Sequence, residues 1–453
     1  MARSLRRVQP RLRPRHAVRA QDRRQYRCHP DEPSARGNVE LSGATGAARF
    51  IRVNARWLAG GFLLTAFSSF GQTFFIGLSG ADIRRVFDLS AGEFGGLYMI
   101  ATLGSAATLP FLGRTLDIMP GWKVARFCLP ALALACLALP LAPGIVWLGA
   151  ALYLLRLFGQ GMMTEIAYTE IGRWFAASRG RAMALTAMGL QAGNALMPLG
   201  FVALASAGGW HWPWFGAAAL TLALGWPVIV KLIGVERQPS AAEAQGATGL
   251  VARDWTRGQV LRDPVLYMLL AGTLAPPFIG TIVFFHLGYL IELRGYDPLA
   301  FAFAFPVMAG TTVLFSLACG VLVDRFTALR LLPFYLLPLA VASLAVGLIE
   351  PVWGIYLFMM LLGVSNGFTQ TIVGALWPEV YGLANLGGIR AIVVAAMVLS
   401  TAVGPGLTGL LIDRGVPLPE QMLGMAAWCL AASASLALAS RAVMRREGYR
   451  AAT

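Results

Sequence analysis

The sequence predicts an all-α membrane protein of twelve transmembrane helices, arranged as two pseudo-symmetric six-helix halves. Three observations predict it. Hydrophobic residues make up 57% of the 453-residue chain and charged residues only 13%, against roughly 25% charge in soluble domains. The apolar residues gather into twelve runs of about the 20 residues that a bilayer-spanning helix needs. The pattern Gly-x-x-x-Asp followed by cations occurs twice, at Gly113–Asp117 and Gly320–Asp324, 207 residues apart, each time where an apolar run ends.

The first six runs, at 57–79, 92–113, 125–143, 146–170, 182–205 and 213–234, make one half. The others, at 264–290, 299–322, 329–349, 352–375, 389–412 and 420–441, make the second. Runs 1 and 7 start 207 residues apart, the same shift as the two Gly-x-x-x-Asp copies. A second echo closes runs 4 and 10: Trp174-Phe175 with Arg179-Gly180-Arg181, and Trp377-Pro378-Glu379 with Gly387-Gly388-Ile389-Arg390. Pro276-Pro277 and Gly404-Pro405-Gly406 interrupt runs 7 and 11. Helices buried among other helices tolerate this, because neighbours satisfy the freed backbone groups. The runs are too long for a β-barrel, whose strands are about ten residues of alternating polarity.

Outside the runs, residues 1–55 are polar, rich in Arg and Pro, and lack a signal-peptide core. They are expected to be disordered and in part a product of start-codon choice, since the membrane pattern begins near Asn54. Residues 56–234 and 264–441 are the two halves, 235–263 a polar cytoplasmic linker with room for a short surface helix, and 442–453 a cytoplasmic tail.

The loops after runs 2, 4, 6, 8 and 10 carry Lys123/Arg126, Arg173/Arg179/Arg181, Arg253/Arg257/Arg262, Arg325/Arg330 and Arg390. The opposite loops are poorer in cations or balanced by acids: Arg84/Arg85 stand among Asp82, Asp88 and Glu93, and Arg414 stands beside Asp413. The positive-inside rule then places both termini in the cytoplasm of a multi-pass protein of the cell (inner or plasma) membrane. The net charge of +15 is no nucleic-acid signature, because fourteen Arg fall in residues 1–56 and most other cations lie in these loops. Of the five cysteines, four lie in apolar runs and none has metal-ligand spacing. No metal and no cofactor is implied, and no Gly-x-x-x-x-Gly-Lys-Ser/Thr sequence suggests ATP use. The lipid bilayer and a small-molecule substrate are the expected partners of an expected monomer.

Two six-helix halves, a Gly-x-x-x-Asp-basic loop between helices 2 and 3, and its copy between helices 8 and 9 resemble the major facilitator superfamily over residues 57–441. Gly113 and Asp117 match that family's loop, but Ile118 stands where a cation is expected; in the second copy Asp324-Arg325 match better. Gly113 and Gly320 lack side chains, which permits close helix approach. Asp117 can accept bonds from a helix N-terminus or pair with Arg across the seam between the halves. A contact made in one state and broken in the other makes Gly113, Asp117, Gly320, Asp324 and Arg325 the gating candidates; the bland reading of Asp117 is a solvated loop carboxylate.

Helix 4 carries Leu152-x-x-x-Arg156-Leu-Phe-Gly-Gln160-Gly161, similar to the family's Leu-x-x-x-Arg-x-x-Gln-Gly with one residue inserted before Gln. Arg156 lies deep in its run, where charges usually face a cavity or a partner. At 100° per residue Gln160 and Thr164 share its face, while Glu165 points away. Arg156 is expected to hold an anion, against the alternative of a structural Arg bonded to backbone carbonyls and packed against helix 1. Glu165 is expected to brace helix 4 within its own half, with proton carriage as the other role.

The resemblance implies that helices 1, 4, 7 and 10 line a central cavity. Gln72, Arg156, Gln160, Asn366 and Gln370 are the substrate-binding candidates, and His286 and Glu165 the proton-coupling ones; His286 is chosen because an imidazole titrates near neutral pH. Phe284-Phe285-His286 and Phe70-Gly-Gln72-Thr-Phe-Phe weakly resemble bacterial monocarboxylate-transporter-type members. The reading is therefore a secondary active transporter, no enzyme, moving a small organic anion by alternating access with proton coupling. A drug efflux pump of the same superfamily is the alternative, and a membrane-embedded enzyme or a transport-dead sensor the remote ones.

Overall fold

The computed structural model describes residues 36–175, 178–235, 237, 255–382 and 385–446. The chain divides into two units, Met1–Val53 and Asn54–Thr453. Of the first, the described part belongs to the helix Arg36–Phe67. Residues 36–55 of the expected tail carry this helix, and 1–35 lie outside the described residues. The prolines of this segment stop at Pro33, and extending an existing helix is far easier than nucleating a new one.

Helices 1–6 are Arg49–Leu78, which belongs to the second unit from Asn54 on, and Ala91–Ile118, Gly121–Ala138, Ile145–Trp174, Gly180–Gly208 and His211–Ile233, all in the second unit. Helices 7, 8, 10, 11 and 12 are Pro264–Phe285, Pro298–Val323, Trp353–Tyr381, Gly388–Asp413 and Leu418–Met444. Each is long and apolar enough to cross a membrane, and the shorter Leu337–Leu348 takes the place of helix 9. Run 9 was expected as one span over 329–349; it is instead a short helix Ala328–Leu331, a turn, and then Leu337–Leu348. Pro333 and Pro338 explain the split, because proline donates no N–H and pushes the residue before it out of the helical region. The linker does carry a short helix, Arg257–Arg262, capped by Thr256 and Gln259, and Asp263 caps helix 7. The linker residues 238–254 and the tail residues 447–453 lie outside the described set.

Local signals set several ends. Ser90 and Glu93 form a reciprocal cap at the start of helix 2, each side chain bonding the other's backbone N–H. Asp88, at φ 52°, turns the chain just ahead of it.

The duplication is visible in contacts as well as in sequence. Glu170 of helix 4 accepts the Gly121 N–H at the start of helix 3 (3.2 Å), and Glu379 of helix 10 accepts the Ala328 N–H at the start of helix 9 (3.1 Å). Arg237, after helix 6, bonds Asn54 in the first turns of helix 1 (3.2 Å); Arg446, after helix 12, bonds Asp263 ahead of helix 7 through both carboxylate oxygens (2.8 Å each). The halves meet where helix 2 runs along helix 11, helix 5 along helix 8, and the end of helix 1 against helix 7. One face of the bundle carries the loops after helices 2, 4, 8 and 10 and is called the basic face below; the other is the opposite face.

Candidate functional site

Helix 1 is discontinuous. Its first part ends at Phe67, Ser68–Gly71 form a tight turn, Gln72 is extended (φ −78°, ψ 153°), and the helix resumes over Thr73–Leu78. A Cβ on Gly71 would stand 2.2 Å from the Leu155 carbonyl oxygen and 2.7 Å from the Gly159 Cα. Only glycine therefore lets helix 1 meet helix 4 backbone to backbone. Helix 4 is itself wound as a π-helix over Leu155–Met162. The residue inserted between Arg156 and Gln160 is absorbed by this wider turn without breaking the helix.

Arg156 projects from the π stretch into the break. It is 4% exposed. Its Nη1 donates to the Gly71 carbonyl (3.3 Å) and to Thr73 Oγ1 (3.4 Å), and its guanidinium lies over the Tyr98 ring (5.3 Å). The Tyr98 hydroxyl in turn bonds Thr73 Oγ1 at 2.7 Å. Arg156 Nε is buried with no hydrogen-bond partner. Among the described residues no carboxylate lies within 4.0 Å of the guanidinium. The cation is therefore held by long, neutral contacts at a depth where an uncompensated charge is costly.

Gln72 and Gln160 are half-buried on either side of the same crossing. Asn366 is half-buried and Gln370 exposed, both on helix 10, which packs against helices 7, 8 and 9. The structure thus gathers Gln72, Arg156 and Gln160, and no side-chain hydrogen bond between described residues ties Asn366 or Gln370 to them. Beside the Gly71 carbonyl, a backbone partner of the kind the structural alternative named, Arg156 meets Thr73 and Tyr98, which were missed as partners. The available signal was a polar tip, Tyr98, inside apolar run 2.

Glu165 does not brace helix 4: it is exposed and makes no ion pair with a described residue. The bracing carboxylate is Glu170, 5% exposed, bonded to Gly121 N and 3.5 Å from Arg173. The π stretch changes the angular register beyond Met162, which a uniform 100° per residue does not carry. His286 is buried at a break between Ala275–Phe285 and Leu287–Arg294, and its Nε2 meets the Pro405 carbonyl of helix 11 at 3.2 Å. Ser79 stands 207 residues earlier at a matching break in helix 1, where it accepts from Trp214 Nε1 at 2.8 Å. Both positions tie a break to a neighbouring helix of the same half, Ser79 to a side chain of helix 6 and His286 to the backbone of helix 11.

Asp117 pairs with Arg173 of its own half (3.1 Å) and is 75% exposed, and Arg173 also donates to the Leu116 carbonyl (2.7 Å). In this conformation, then, the loop contact does not cross the seam. A Cβ on Gly113 or on Gly320 would meet nothing within 4 Å, so the expected close approach is absent at both. Arg325 is exposed, and the Asp324 side chain lies outside the described residues.

The opposite face is closed above Arg156. Phe285 of helix 7 stacks on Phe94 (4.8 Å) and leans on Tyr98 (4.5 Å), while Phe74 packs against Phe284 (6.4 Å) and Phe305 (5.8 Å) of the other half. A Cβ on Gly77 would stand 1.9 Å from the Phe284 carbonyl oxygen, and one on Gly95 2.5 Å from that of Pro405. Farther out, Arg85 bridges Asp82 (3.0 Å) and Glu292 (2.8 Å). Burial holds the Asp82 carboxyl above the usual carboxylate range, against the pull of the Arg85 guanidinium. The hydrogen bonds and ion pairs that join the halves among described residues all lie on this face.

Solved structures share this architecture. A bacterial homolog of the human lysosomal transporter Spinster, in an inward-facing and occupied conformation, aligns with a TM-score of 0.66 at 16% identity, over 85% of this chain and 96% of its own. The same protein, inward-facing and unoccupied, aligns with 0.66 at 16% over 86% and 98%. The nucleoside transporter NupG aligns with 0.63 at 11% over 86% and 100%. No curated protein matches the sequence. The family description "Major Facilitator Superfamily" matches residues 61–405, and with eleven membrane-length helices and the shorter Leu337–Leu348 among the described residues the chain belongs to that superfamily of transporters.

Proposed function

We propose that this protein is a secondary active transporter of a small organic anion in the cell membrane, working by alternating access, with Arg156 as the counter-charge. The observation that carries the reading is a buried guanidinium with an unpartnered Nε and no carboxylate within reach, beside a broken helix 1. Breaks of this kind free backbone groups for a ligand at mid-membrane, and an arriving carboxylate offers Arg156 a bidentate partner. Gln72 and Gln160 supply amides at the same crossing, with Asn366 and Gln370 contributing from helix 10. The positive-inside rule makes the basic face cytoplasmic, so the closed opposite face is the outer one. Asp117 and its loop gate the cytoplasmic side in the other conformation. Glu165, an exposed carboxylate on helix 4, is the proton carrier best supported; His286 braces helix 7 to helix 11.

A thermal-shift screen of small carboxylates, sugars and drugs tests this, since a ligand stabilises the state it binds. A carboxylate is expected to raise the midpoint of the wild-type protein and to do nothing to Arg156→Ala. A neutral ligand that stabilises both proteins equally overturns the anion reading. It would favour the second one, export of a neutral hydrophobic compound, which the Phe74–Phe284–Phe305 cluster supports.

A further inference from the structure

Asp413 ends helix 11 on the opposite face and reaches across the seam to the first turn of helix 2. Its Oδ1 accepts from Ala91 N (3.1 Å), and its Oδ2 from Gly92 N (2.9 Å) and Ser90 Oγ (2.8 Å). The two N–H groups are donors that helix 2 cannot satisfy itself, at the positive end of its dipole. Gly92 makes room for the carboxylate, since a Cβ there would stand 2.4 Å from Oδ2. The backbones close behind it: a Cβ on Gly409 would stand 2.3 Å from the Ala91 carbonyl oxygen. The other cross-seam charge contacts among the described residues share Glu292, 47% exposed, which meets Arg85 (2.8 Å, 68% exposed) and Arg84 (3.6 Å, 19% exposed), and pairs with so exposed a carboxylate contribute little. Charge-assisted bonds from backbone N–H groups are stronger.

We propose that Asp413 is a gating residue: its carboxylate, seated on the N-terminus of helix 2, holds the opposite face shut, and its release lets the transporter open there. The proposal rests on the alternating-access reading. Helices 2 and 11 form a pair with a carboxylate at each end, Asp117 at the end of helix 2 and Asp413 at the end of helix 11. Asp413 is engaged across the seam while Asp117 is turned to Arg173 in its own half.

Spin-label distance measurements on the full chain test it without any substrate. One label pair, at Val86 and Leu293, spans the halves on the opposite face; another, at Ile118 and Phe326, spans them on the basic face, and all four positions are exposed. The native cysteines are replaced first. Asp413→Ala is expected to raise the ratio of long to short distances at Val86/Leu293 at least tenfold, equivalent to about 1.4 kcal/mol, while Ile118/Phe326 shortens in step. Gly92→Ala, which evicts the carboxylate from the other half, should do the same, and the double variant should add nothing. Asp413→Asn, which keeps the shape and loses the charge, should fall between; these two carry the test if Asp413→Ala does not fold. Unchanged distances in Asp413→Ala and Gly92→Ala, with exchange still seen in Glu292→Gln, overturn the gate and leave alternating access standing. Lengthening at Val86/Leu293 with no response at Ile118/Phe326 means a local contact only and overturns the gate. One fixed distance at both faces in every variant overturns the alternating-access reading with it.

Discussion

Gly71 and Gly159 touch through their backbones: a Cβ on the first would stand 2.7 Å from the Cα of the second, and one on the second 2.6 Å from the Cα of the first. The contact seats the break in helix 1 on the π stretch of helix 4 and so sets where Arg156 meets Gly71 and Thr73. Gly71→Ala or Gly159→Ala is expected to cost about 1–3 kcal/mol, as overpacking does. Thermal unfolding in detergent measures it. Gly113→Ala, with open space around it, should leave the midpoint unmoved.

Arg156→Lys separates charge from geometry. Lysine keeps the charge but loses the planar fork that pairs two oxygens at once. Binding of the carboxylate found by thermal shift should weaken at least tenfold, and Arg156→Ala should abolish uptake into proteoliposomes while expression stays normal. Uptake at the wild-type rate in Arg156→Ala would refute the assignment.

Asp117→Asn should act on rate rather than on stability. The Asp117–Arg173 pair is 75% and 45% exposed, and exposed pairs contribute about 0–1 kcal/mol. The unfolding midpoint is expected to hold, substrate affinity to be kept, and turnover to fall as the two states interconvert more slowly. Lost affinity with kept turnover would show that the loop does not gate.

Arg446→Ala should destabilise more than Arg173→Ala. Asp263 is 5% exposed and receives both bonds from Arg446, a third from Tyr381 (3.0 Å) and one from Val265 N (3.1 Å). Removing the cation strands a buried carboxylate, at a cost of about 3 kcal/mol. Equal midpoints for the two variants would contradict this.

Much of the fold was legible because membrane helices advertise themselves by length and apolarity, independently of what they touch. The duplicated Gly113–Asp117 and Gly320–Asp324 loops gave the halves for the same reason: they are local strings. The break at Ser68–Gln72 left no such mark, since no proline sits there and the cause is the backbone of helix 4. The extra residue before Gln160 was countable, but its absorption as a π turn, and the consequent displacement of Glu165 from its expected bracing role, depend on packing. Asp413 read as the neighbour of Arg414, because its three donors lie more than 300 residues away.

Arg85 and Glu292 are 207 positions apart, and so are Gly77 and Phe284. Positions that match across the duplication touch one another, which places them near the axis relating the halves. In a dimer of identical chains, residues on a two-fold axis face their own copies. Such a dimer can set only arginine against arginine or phenylalanine against phenylalanine there. A single chain holding both halves escapes that constraint: cation can face anion, and a bare backbone can face a bulky ring, at the point where the two bodies pivot. Covalent fusion thus gives this molecule an asymmetric bearing that no self-associating half can possess.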